Sequence, residues 1–104
     1  MNIRYEYIGW CNIDGHDKVW VSILIKSGDR NQWPTYNTYL TVWGRRGKKL
    51  QSKVVETNRH EMDKLIRSKD SKSYLEIPED KLNEVYPEFQ QDLEKTAAWS
   101  MLMA

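Results

Sequence analysis

Through the first half of the chain, apolar and polar side chains alternate with a period of two, which is the pattern of strands with one face buried. Ile3 to Trp10 reads as a strand in which Ile3, Tyr5, Tyr7 and Gly9 share one face and Arg4, Glu6, Ile8 and Trp10 the other. A turn at Asn12 to Asp17, with Asp14-Gly15 inside it, leads to a second strand at Lys18 to Lys26. There Val19, Val21, Ile23 and Ile25 alternate with Trp20, Ser22 and Leu24, so both faces are apolar and the strand is predicted to be central and covered on both sides. Ser27 to Asn37 is a polar loop broken by Gly28 and Pro34. Trp33 within it is expected to fold back over the sheet as a lid, because large aromatic residues rarely stay fully exposed.

The third strand spans Thr38 to Trp43, with Thr38, Leu40 and Val42 opposed to Tyr39, Thr41 and Trp43. A fourth spans Leu50 to Glu56, with Leu50, Ser52 and Val54 opposed to Gln51, Lys53 and Val55. The period then lengthens to three and four residues. Thr57 or Asn58 is placed to cap a helix over Arg59 to Ser68, with Glu61 at the capping-box position and Met62, Leu65 and Ile66 as its apolar stripe. Tyr74 to Ile77 reads as a short fifth strand. Pro78, followed by Glu79 and Asp80, suits the start of a helix that ends before Pro87. A last helix is predicted from about Pro87, with Phe89, Leu93, Ala97 and Met101 every four residues and Trp99, Leu102 and Met103 widening the stripe.

The predicted architecture is therefore α+β: a small antiparallel sheet with one packed helix over residues 1–77, and a helical extension over residues 78–104 packed on the same domain. A length of 104 residues allows one core and not two. With 39% hydrophobic and 30% charged residues, that core leans on large side chains, of which five Trp and six Tyr supply many. One cysteine, Cys11, excludes an internal disulfide and a thiolate cluster and fits a reducing setting. The first residues lack a long apolar core and a cleavage pattern, and no run approaches membrane-spanning length, so a cytoplasmic or nucleoid location is expected.

Charge changes the picture by its distribution. Residues 1–42 carry four basic and four acidic groups, residues 43–72 ten and four, and residues 73–104 two and seven, giving balances of 0, +6 and −5. Such asymmetry lets one face attract a polyanion although the net charge is only +1. The competing reading has the acidic tail folding over the basic middle and neutralising it.

The candidate chemistry sits in that basic middle. Gly44 and Gly47 bracket Arg45 and Arg46, Lys48 and Lys49 follow, and Trp43 stands at the strand exit. A ring beside several cations suits a nucleic-acid end or backbone, with Gln51 and Lys53 on one strand face extending the patch. For Trp43 a core ring at the strand end is the alternative, and for the cations a solvated turn. No glycine-rich phosphate loop, paired cysteines or nucleophile elbow appears, and His16 and His60 are too few for a histidine-based metal site. No enzyme activity, metal or cofactor is expected.

The ordered set Asp17-Lys18-Val19-Trp20, Trp43-Gly44-Arg45 with Gly47 after it, Leu50-Gln51-Ser52-Lys53, a helix, and Lys69-Asp70-Ser71-Lys72-Ser73-Tyr74 resembles the WGR domain. That family is known from poly(ADP-ribose) polymerases and from bacterial proteins, and the resemblance covers about residues 16–77. It implies a compact antiparallel sheet with one helix across it and a DNA-binding role. The family's tryptophan packs against a sugar near a DNA end and neighbouring basic groups contact phosphates; these roles would fall on Trp43, Arg45 and Lys53. Where the family commonly has an apolar residue after the arginine, this chain has Arg46, and it has no room for the polymerases' catalytic domain. In the family the arginine can contact that partner domain instead of DNA, which is the alternative role for Arg45. The alternative function is a protein-interaction or inhibitory adaptor that docks through the same turn. Its acidic tail would block nucleic acid, and Trp99, Met101 and Leu102 at the tail's apolar end would contact a partner or a second copy.

Overall fold

The computed structural model describes residues 3–104, so the first two residues of the expected 1–77 unit lie outside it. The period-two stretches form β1 (Arg4–Cys11), β2 (Lys18–Lys26), β3 (Asn37–Arg45) and β4 (Gln51–Thr57), and β5 is the two-residue Leu75–Glu76. They pair antiparallel in the order β4-β3-β2-β1-β5, which makes the chain an α+β fold with β2 at the centre of its sheet. Between β1 and β2 the His16 amide donates to the Ile13 carbonyl at 2.9 Å. Asp14 and Gly15 there have φ of 54° and 81°, the signs that a two-residue hairpin turn of type I′ demands.

Central β2 divides the core. Val19, Val21, Ile23 and Ile25 join Leu40 and Val42 of β3 on one face, while Trp20 and Leu24 lie with Tyr7 and Tyr39 on the other. α1 (Arg59–Asp70) covers the second face and sinks Met62 among Tyr7, Trp20 and Tyr39. The tail covers the first face. A 3-10 turn (Glu79–Lys81) runs into α2 (Leu82–Val85), followed by α3 (Phe89–Glu94) and α4 (Ala97–Met103). Leu82, Tyr86, Phe89, Leu93 and Ala98 from these elements close over the valines and isoleucines of the sheet.

β1 departs from simple alternation. Tyr5 pairs with Ile23 but Tyr7 pairs with Ser22, so Glu6 is an extra residue in a bulge. The face expected to hold both tyrosines is thereby split. Tyr5 packs with Phe89 of the tail, with ring centroids 6.3 Å apart, and Tyr7 packs with Trp20 under α1 at 6.0 Å. The bulge turns Glu6 and Tyr7 together toward the helix. Glu6 meets Arg59 at 2.6 Å and the Tyr7 hydroxyl donates to Asp70, so the two ends of α1 are tied to neighbouring residues of one strand. Burial first, then that carboxylate, raises the Tyr7 pKa.

Of the two candidate caps for α1, Asn58 is the one used: its side-chain oxygen accepts from the Glu61 amide at 2.8 Å. The helix continues past the expected end at Ser68 to Asp70, and the Ser71 amide closes it on the Arg67 carbonyl at 3.1 Å. Asn58→Ala should cost about 1 kcal/mol, read as a lower denaturant midpoint with an unchanged slope.

Two expectations are corrected. The last helix does not run unbroken from Pro87. The Thr96 hydroxyl donates to the Leu93 carbonyl at 2.7 Å, and its oxygen accepts from the Trp99 amide at 3.4 Å, so Thr96 closes α3 and caps α4. The apolar stripe is re-phased by this break. Ala98 is buried and Trp99 and Leu102 pack on the core, whereas Met101 is 74% exposed. Trp33 is not a lid either, being 94% exposed. Its loop satisfies polar groups within itself, with the Gly28 amide donating to Asn37 and the Thr35 hydroxyl to the Gln32 carbonyl, both at 2.9 Å, and this arrangement points the ring outward. Among the described residues, no helix is long and apolar enough to cross a membrane.

Candidate nucleic-acid interface

The turn between β3 and β4 is built by Arg45 to Lys48, with the Lys48 amide donating to the Arg45 carbonyl at 3.0 Å. Gly47 stands at its third position with φ of 84°, a backbone sign that residues with a Cβ adopt at a cost. Gly44, paired with Val19, lets β4 approach closely; a Cβ there would lie 3.3 Å from the Leu50 side chain.

Strand alternation then sorts the candidate residues between two faces. Trp43 lies on the α1 side, paired with Trp20 on β2 and with Gln51 on β4. Two residues along, Thr41 pairs with Lys53. Trp43 is half-buried, and with Trp20, Thr41, Lys53, Leu65 and Lys69 it lines an open groove of about 240 Å³ between the sheet and α1. The 38% exposure of Leu65, which belongs to the predicted apolar stripe, follows from that groove being open.

Cations frame the groove. The Lys69 ammonium sits 5.5 Å from the centre of the Trp20 ring and that of Lys18 5.7 Å from Tyr74. Arg45 is exposed and pairs across the sheet with Lys18. Among the described residues, Lys18, Arg45, Lys53, Lys69 and Lys72 have no ion-pair partner. Burial, and then the charges of Lys72 and Lys18, pull the Lys69 pKa below its ordinary value. A cation disfavoured by burial and by like charges gains when an anion arrives. Nor does any ion pair among the described residues join the acidic tail to the basic middle.

Arg46 is placed differently from Arg45. Its guanidinium lies 3.1 Å from Asp17 and 5.0 Å over the Trp10 ring, and it donates to the Val85 carbonyl at the end of α2. Next to it, the Gly47 amide donates to the Tyr86 hydroxyl at 3.1 Å, which in turn donates to Asp92. Arg46 thus fastens the turn to the β1–β2 connection and to the tail. Burial, followed by the Asp92 hydrogen bond, pushes the Tyr86 pKa up to about 12. Lys48 and Lys49 lie with Leu50 on the tail side, near Lys95.

Arg46→Ala should therefore lower stability by about 1–2 kcal/mol through the loss of charged hydrogen bonds. The Trp10 indole N–H, and then Arg46, hold the Asp17 carboxyl below its ordinary value of 3.8. Stability tied to a lowered carboxyl is present above that ordinary value and is lost as pH falls through the folded one. The difference between wild type and Arg46→Ala should accordingly shrink below about pH 4 in acid-denaturation curves.

Of the residues expected to act together, the structure groups Trp43, Gln51 and Lys53 on one face, with Arg45 at its end. It gives Arg46 to the scaffold and puts Lys48 and Lys49 on the other side. Sequence reasoning did not single out Trp20, Leu65 or Lys69 as site residues; the signal was their shared face on β2 and α1, which for Lys69 is readable only once α1 is extended to Asp70. The chain finds no match among protein-family models, curated proteins or solved structures.

Proposed function

We propose that this protein is a non-enzymatic DNA-binding domain of WGR-like type, acting in the cytoplasm or on the nucleoid, and that it engages DNA ends or backbone through the groove between β3, β4 and α1. The observation that carries the reading is the half-buried Trp43 ring beside Lys53 and Lys69, cations with no ion-pair partner among the described residues. The ring offers a flat apolar surface to a sugar or base and the lysines offer charge to the adjoining phosphates. Arg45 and Gln51 extend the contact at the strand ends. The adaptor alternative draws less support, since Trp99 and Leu102 pack on the core and leave Met101 as the exposed apolar side chain of α4.

The test is a salt titration of binding to blunt, nicked and single-stranded DNA. Lys53→Gln with Lys69→Gln should flatten the log-log salt slope on duplex by about 1.8, near 0.9 for each phosphate that is no longer neutralised. An unchanged slope in this folded double variant, or no binding by wild type at low salt, would sink the proposal.

A further inference from the structure

On the far side of the same hairpin lies a second group of cations that the groove does not use. Lys48 and Lys49 of the β3–β4 turn and Lys95 at the end of α3 line a cavity of about 400 Å³ with Gly47, Leu50 and Asp92. Leu50 belongs to the core beneath the tail, whereas Trp43 and Trp20 belong to the core beneath α1, so this cavity and the Trp43 groove open on opposite faces of the sheet. All three lysines are exposed, and none has an ion-pair partner among the described residues. The one carboxylate in the cavity wall, Asp92, accepts the Tyr86 hydroxyl. Tyr86 in turn holds the Gly47 amide, so the wall and the turn are fixed to each other.

Lys95 is unusual in its setting. It is one of two basic residues among residues 78–104, against six acidic ones, and α3 and the break at Thr96 bring it to the basic turn. A tail that served only to neutralise the middle would place a carboxylate there.

We infer that Lys48, Lys49 and Lys95 form a second phosphate-binding site, and that the end of the β3–β4 hairpin meets both strands of a duplex, one backbone on each side. The inference rests on the nucleic-acid reading of the Trp43 groove for its first strand. β4 is an edge strand of the sheet, so a duplex lying along that edge brings one phosphate backbone within reach of each face. A single strand presents one backbone and reaches one face only. The hairpin is stiffened for such a position, because Arg46 and Gly47 at its tip are bonded to Asp17, Val85 and Tyr86.

The experiment measures salt-dependent binding to a short blunt duplex and to one of its strands, each by fluorescence anisotropy. Wild type is compared with Lys48→Gln/Lys49→Gln/Lys95→Gln and with the groove variant Lys53→Gln/Lys69→Gln, after thermal melts show that each is folded. The triple variant should flatten the duplex slope by about 2.7, some 0.9 per phosphate, and leave single-strand binding within twofold of wild type. Lys95→Gln alone should flatten the duplex slope by about 0.9. An unaltered duplex slope in the triple variant overturns the second site and leaves the groove reading standing. Equal losses on duplex and single strand overturn the two-backbone geometry. If the groove variant binds like wild type while the triple variant loses duplex binding, the groove reading and the two-backbone geometry fail together and the lysine site alone survives. If wild type binds neither probe at low salt, both fall.

Discussion

A chain ending at Ile77 should fail to fold. Without residues 78–104, the face carrying Val19, Val21, Ile23, Ile25, Leu40 and Val42 loses Leu82, Tyr86, Phe89, Leu93 and Ala98. Burying each large apolar side chain contributes about 1.5–3 kcal/mol, and domains of this size have only about 5–15 kcal/mol of net stability. Four large side chains removed together amount to about 6–12 kcal/mol, comparable to the whole of that margin. The expected observation is the absence of a cooperative thermal or denaturant transition, with dye-accessible apolar surface in its place. A milder version is Phe89→Ala, which should cost about 3–5 kcal/mol, because Phe89 is almost fully buried between Tyr5 and Tyr86. A cooperatively folding 1–77 fragment would show that the sheet is stable with one face open and would remove the structural role assigned to the tail.

Trp43→Ala should weaken DNA binding by about 1–3 kcal/mol, roughly 5- to 150-fold. The groove keeps its lysines in this variant, so the salt slope should hold while the affinity falls. That pattern separates a stacking or sugar-packing ring from an electrostatic contact. Because Trp43 also leans on Trp20 and Val55, some stability is lost as well, and Trp43→Phe, which keeps an aromatic face, should recover most of the binding. Binding by a folded Trp43→Ala protein that equals wild type would show the ring to be part of the core only.

How far the sequence went can be judged from particular residues. The two faces of β2, the pairing of Gln51 and Lys53 with the Trp43 face, and the capping of α1 at its Asn58 end all follow from local periodicity and local hydrogen bonding. What local pattern does not reveal is a commitment made over distance. Arg45 and Arg46 are indistinguishable as neighbours in a turn, yet Arg46 is bound to partners 29 and 39 positions away. The bulge at Glu6 has no glycine or proline to mark it, since its cause is the pair of anchors, Arg59 and Asp70, on α1. The break at Thr96 is masked by Ala97 and Ala98, either of which continues an apolar stripe, and only the capping hydroxyl chooses between them. Trp33 ran against a general expectation about aromatic burial because its loop bonds to itself.

The segregation of charge across the sheet has a kinetic side. The α1 face carries Lys18, Lys53, Lys69 and Lys72, and the tail on the opposite face carries Glu79, Asp80, Glu84, Glu88 and Glu94 as exposed side chains, with Lys48, Lys49 and Lys95 interrupting that acidic surface at the β3–β4 turn. A nearly neutral molecule arranged in this way is an electric dipole fixed in the protein frame. In the field of a polyanion it experiences torque before it experiences much net force, so it turns its basic face inward during the approach. Electrostatic steering of this kind raises the fraction of encounters that are productive and fades as added salt shortens the reach of the field.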